Sequence, residues 1–124
     1  MPAFANPFQG NVDRKMNKAE LIQAVRLDIA GELEAIYLYD SHVQATDNEA
    51  AKKVLSDIRD EERSHVGELL TLLRTLDPHE VDLLASGETE VRTMLNELGI
   101  SVPSSKPAEK AGGTATVGSL NGQK

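Results

Sequence analysis

Apolar residues recur between residues 17 and 76 at alternating steps of three and four, the spacing of one face of an α-helix. One series runs Ile22, Val25, Ile29, Glu32, Ile36, Tyr39, Val43; a second runs Leu55, Ile58, Glu62, His65, Leu69, Leu72, Leu76. No segment alternates with the period of two that a half-buried strand requires. The pattern predicts two long helices. Asn17 followed by Glu20 is a capping-box start for the first, which runs to about Ala45. Asp47 and Asn48 mark the turn and the next N-cap, and the second helix runs to about Leu76. Asp77, Pro78 and Glu80 open a third segment, which Gly87 is expected to interrupt and Gly99 to end. Residues 1–16 hold Pro2, Pro7, Gly10, Phe4 and Phe8 and read as a non-helical arm. Residues 101–124 hold Pro103 and Pro107 among Gly, Ser, Ala and Lys and read as a flexible tail. The expected fold is all-α, an antiparallel hairpin plus a short C-terminal helix over residues 17–100.

Each apolar series is interrupted by ionisable residues, Glu32 in the first and Glu62 with His65 in the second. Such groups on a core face are costly unless they are paired or bound to metal. With the hairpin centred on Asp47, Glu32 and Glu62 fall at the same height. Ile29 faces His65, Ile36 faces Ile58, Tyr39 faces Leu55, Val25 faces Leu69 and Ile22 faces Leu72. Glu62 and His65 are one turn apart on one helical face, and no Lys or Arg stands on either series. Carboxylate oxygen with imidazole suits iron, manganese or zinc. In a di-iron helix bundle, two helices each give a Glu and two others each give Glu-x-x-His. This chain holds one of each, so two copies would complete a four-helix bundle with the full ligand set. A purely structural reading stands beside it: a Glu-x-x-His is common on exposed helices, and a buried polar layer can fix helix register.

Composition sharpens this picture. A formal net charge of −7 and a pI near 4.9 suit cations and argue against nucleic acid or anionic membrane as partners. The absence of cysteine excludes disulfides, cysteine-ligated clusters and thiol catalysis. No apolar run approaches a membrane span, and the N-terminus lacks the basic start and apolar stretch expected of a signal peptide.

Glu32-Leu33-Glu34-Ala35, the aromatic Tyr39, Glu61-Glu62-x-x-His65 and the tail Thr116-Val117-Gly118-Ser119-Leu120 together resemble the encapsulated ferritins, ferritin-like cargo of encapsulin nanocompartments. The resemblance covers residues 17–76 and, separately, the tail. It implies a ferroxidase that oxidises Fe(II) to Fe(III) at a di-iron centre between two subunits. It implies decameric rings of dimers, with mineral stored by the shell in a bacterial or archaeal cytoplasm. Glu32, Glu62 and His65 from each of two chains would be the iron ligands, with Glu62 as the bridging one. Tyr39 would lie nearby, and Glu34 would help iron enter. Two positions depart from the family pattern. Gly31 replaces a second acidic residue, which puts an accessory access site there in doubt, and Leu38 stands where some relatives have Trp. Val117 and Leu120, within residues 115–122, would be the anchors of a peptide that orders in a groove of the encapsulin shell wall.

The remaining candidates read as structural. His42 and His79 are expected to be exposed, Glu61 to be a surface group, Tyr37 to sit at a subunit contact, and Met16 and Met94 to pack. Two other functions fit the same ligands or scaffold: a non-catalytic helical dimer adaptor in which Glu32, Glu62 and His65 form a specificity layer, and a di-manganese or di-iron peroxidase or catalase.

Overall fold

A computed structural model of the chain describes residues 14–103. The arm upstream of residue 14 and the 115–122 tail segment lie outside the described residues. Three helices follow in order: α1 (Lys18–Gln44), α2 (Glu49–Leu76) and α3 (Pro78–Glu97), with no strand among the described residues. The chain divides between Gly87 and Glu88 into two compact units, the first containing α1, α2 and the start of α3.

The helix starts are set by local side-chain chemistry. The Asn17 side chain accepts from the Glu20 amide at 2.9 Å, and the Glu20 carboxylate accepts from the Asn17 amide at 3.1 Å. This reciprocal box satisfies amides that the first helical turn leaves without partners. Arg14 forks onto Glu20, and its guanidinium holds the Glu20 carboxyl down at about 2. At the turn, Asn48 caps α2 by accepting from the Ala51 amide at 2.9 Å, and its own amide donates to the Thr46 hydroxyl at 3.2 Å. A connection this short leaves α1 and α2 antiparallel neighbours, and the two pack on each other.

The apolar series lie between the two helices but are covered only in part. Among the described residues Val25 and Leu73 are the buried apolar side chains, each 3% exposed. The series expected on α2 is corrected at its far end. Leu72, expected opposite Ile22, is 44% exposed, and its neighbour Leu73 takes the inward place. A true helix turns every 3.6 residues, so a series stepped at 3.5 drifts around it by ~20° per heptad.

At the open end of the hairpin Arg26 ties α1 to the α2–α3 corner. Its guanidinium lies 2.9 Å from Glu80 and 3.6 Å from Asp77. Pro78 occupies the first position of α3, where its missing amide costs nothing. The expected interruption at Gly87 does not occur, because α3 runs unbroken through it to Glu97. Glycine in a helix costs only ~1 kcal/mol, less than the hydrogen bonds that breaking a helix there would forfeit. Gly99 does end the element, as expected. With φ +72° it takes the left-handed position, the Ile100 amide bonds back to the Leu95 carbonyl at 2.9 Å and the Gly99 amide to Asn96 at 3.0 Å. That pair of bonds is a Schellman cap. Met16 and Met94, expected to pack, are both exposed.

Candidate metal centre

Glu32 comes from the middle of α1, and Glu62 and His65 from the middle of α2. One donor atom from each lies within 4.8 Å of the others, and this is the metal-capable acidic and histidine group among the described residues. The His65 Nδ1 is 3.1 Å from Glu62 Oε2 and 3.5 Å from Glu32 Oε1. The helix hairpin builds this meeting simply. Side chains lean toward the N-terminus of their own helix, so on antiparallel helices those of α1 and α2 lean past each other, and an imidazole one turn from Glu62 still reaches Glu32.

The three groups shift one another's titration. Glu32 is pushed up from the ordinary carboxylate value, first by its hydrogen bond to Glu62 and then by burial. Glu62 is pulled down, first by accepting from Glu32, with His65 adding to the effect. His65 is raised, first by its hydrogen bond to Glu62 and then by the charge of Glu32. The shifts favour the protonated forms of Glu32 and His65 and the ionised form of Glu62. Asp28, one turn before Glu32, and Glu68, one turn beyond His65, add negative potential that Glu32 and His65 respectively feel. Neither stood out in the sequence, although their spacings of four and three residues are those of same-face helix neighbours.

The donor set fits a hard or borderline divalent cation. The three donor atoms lie within 4.8 Å of one another, close to the about 4.4 Å that bonds of about 2.2 Å allow across one ion, so only a small inward movement of the side chains would let them share it. A cation would bind the deprotonated forms, in competition with protons. The site is also open to a partner: the side chains of Glu32, Glu62 and His65 are 26%, 16% and 45% exposed. Glu34 is not part of the group and is exposed, with interactions of its own. Tyr39 is half-buried two turns along α1 from Glu32, leaning toward it. His42 and His79 are exposed, as expected, Tyr37 is highly exposed, and Glu61 is half-buried.

The sequence profile of the EncFtn-like family matches residues 10–86. The chain belongs to the EncFtn-like family. Among relatives of this EncFtn-like chain, the encapsulin nanocompartment cargo protein EncC of Myxococcus xanthus is 48% identical over 75 residues, 60% of this chain and 58% of the relative. A ferritin-like–encapsulin shell fusion protein of Pyrococcus furiosus is 40% identical over 89 residues, 72% of this chain and 26% of that protein. The chain thus spans less than two thirds of the length of either. The crystal structure of the encapsulated ferritin domain from Pyrococcus furiosus superposes with a TM-score of 0.68 at 38% identity, covering 82% of this chain and 100% of that one. The all-α, EncFtn-like fold expected from the sequence is therefore the observed one.

Proposed function

We propose that the protein is a ferroxidase cargo of an encapsulin compartment, and that its centre forms when two copies bring their triads together. The observation that carries this reading is the convergence of Glu32, Glu62 and His65 within 4.8 Å on a part-exposed helical face. One copy offers two carboxylates and an imidazole. Two copies offer four and two, the donor set of a di-iron helix bundle. Leu38 and Leu72 are exposed apolar residues on the same hairpin, and apolar surface of this kind gains by being covered.

In this reading Fe(II) is the substrate. Anionic oxygen donors favour Fe(III) over Fe(II), which lowers the cost of losing an electron. Glu62 would be the bridging ligand, a reading supported by its contact with His65 and its pairing with Glu32. Two Fe(II) release one electron each, and dioxygen accepts both with two protons, leaving as hydrogen peroxide. Metal entry favours the deprotonated forms of Glu32 and His65. Tyr39 shapes the surroundings, and Glu34 assists iron on its way in. The pairs of copies assemble into a decameric ring, and residues 115–122 hold it to the shell wall, which stores the Fe(III) as mineral in the cytoplasm. Support for the shell as partner comes from the relatives, one named as encapsulin nanocompartment cargo and one as a shell fusion.

The test is to add Fe(II) anaerobically to metal-free protein, admit air, and follow near-ultraviolet absorbance. Fast oxidation at about one iron per chain, lost in Glu32→Ala, Glu62→Ala and His65→Ala, is the expected result. Oxidation no faster than in buffer, with all variants dimerising equally, would leave a non-catalytic adaptor.

A further inference from the structure

Resting on the metal-centre reading, we propose that Arg59 is a positioning residue that fixes the register of α2 against α1 and thereby sets the meeting of Glu62 and His65 with Glu32. Both side chains buried between the helices, Val25 and Leu73, lie at the open end of the hairpin. Toward the turn the apolar residues Ile36, Tyr39, Val43, Leu55 and Ile58 are only half-buried. Half-covered apolar contacts tolerate sliding and rotation better than close-packed ones. Directional bonds must therefore supply the register there.

Arg59 supplies them. Its guanidinium donates to Asp40 on α1 at 2.7 Å and, through Nε, to Asp60 on its own helix at 3.1 Å. Asp40 is fixed from the other side by Gln44, whose amide donates to it at 2.7 Å. The Arg59 side chain is 20% exposed, better covered than the other arginines that form ion pairs here. A planar fork held at two nitrogens fixes an angle as well as a distance. Arg59 stands one turn from Glu62 on the same helix, so a rotation of α2 that broke the Asp40 bond would also swing Glu62 and His65. The triad therefore lies between two arginine clamps, Arg26 toward the open end and Arg59 toward the turn.

The sign of one substitution separates positioning from charge. Arg59→Gln removes a positive charge near a cation site, and on electrostatics alone cation binding would tighten. A positioning role predicts the opposite. In the full chain with Co(II) as probe, Arg59→Gln is expected to weaken binding about 10-fold and alter the visible spectrum, the size of effect seen when groups supporting metal ligands are lost. Arg59→Lys keeps the charge without the fork and is expected to follow Arg59→Gln. Without metal, Arg59→Gln is expected to speed amide exchange over residues 58–66 about 3-fold and to leave residues 18–30 unchanged. Tighter or equal Co(II) binding with an unchanged spectrum and unchanged exchange would overturn the proposal. A wild-type chain that binds no Co(II) would count against the metal centre itself. The exchange measurement then decides the register, faster exchange supporting it and unchanged exchange overturning it.

Discussion

His65 on α2 and Glu32 on α1 stand on opposite helices of the hairpin with Nδ1 and Oε1 3.5 Å apart. The pair exists only when the hairpin is closed in register, so its protonation reports on folding.

The signs follow from the shifts. A raised His65 contributes stability that is fully present below its ordinary value of 6.5 and is lost as pH rises through its higher folded value. The raised Glu32 acts in the same direction, favouring its neutral form. Glu62, pulled down, contributes stability present above 4.5 and lost as pH falls below it. Metal-free protein should therefore melt at progressively lower temperature as pH rises above 6.5. A divalent cation, which binds the deprotonated groups, should cancel that decline and release protons on binding. Calorimetry in two buffers of different ionisation enthalpy measures both effects.

Leu72 and Leu73 should separate folding from assembly. Leu73→Ala empties a buried position and should cost about 2–4 kcal/mol in urea unfolding. Leu72→Ala removes a side chain that is 44% exposed, so it should cost under about 1 kcal/mol. If a second copy covers that face, Leu72→Ala should instead raise the dimer dissociation constant in analytical ultracentrifugation.

Two glycines should respond in opposite directions. Gly87 has open space around its missing side chain and helical neighbours on both sides. Gly87→Ala should stabilise α3 by about 0.5–1 kcal/mol. Gly99, at φ +72°, should lose about 1–2 kcal/mol on change to Ala, because the left-handed conformation strains a β-carbon. Amide exchange across α3 in the two variants gives the comparison.

The start of α1 should loosen in acid. Glu20 is held at about 2 against an ordinary 4.5, so its contribution is present above 4.5 and is lost as pH falls toward 2. Asn17→Ala removes the other half of the box and should cost about 1 kcal/mol at neutral pH. In Asn17→Ala, protection of the first-turn amides, measured against the intrinsic exchange rate at each pH, should be low throughout; in the wild type that protection should be lost only on acidification.

The helices, their caps and the triad were legible because each depends on spacing. Asn17 with Glu20, Asn48, and the polar interruptions at Glu32, Glu62 and His65 are visible without knowing what surrounds them. Leu73 was missed because a series stepped at 3.5 residues drifts off a helix that turns every 3.6. Gly87 was misjudged because its local penalty is small beside the bonds on either side of it. The Arg59–Asp40 pair was hidden for another reason: both residues lie off the apolar series, and a side chain as long as arginine reaches partners that spacing alone does not single out.

That Val25 and Leu73 are the buried apolar side chains among the described residues has a calorimetric consequence. Heat capacity rises on unfolding mainly because apolar surface becomes hydrated, and a single copy has little covered surface to hydrate. Its melting should be broad, with a small heat-capacity step and a shallow response to denaturant. Any second copy that closes over Leu38 and Leu72 would steepen both, so the sharpness of the transition itself counts how many chains are unfolding together.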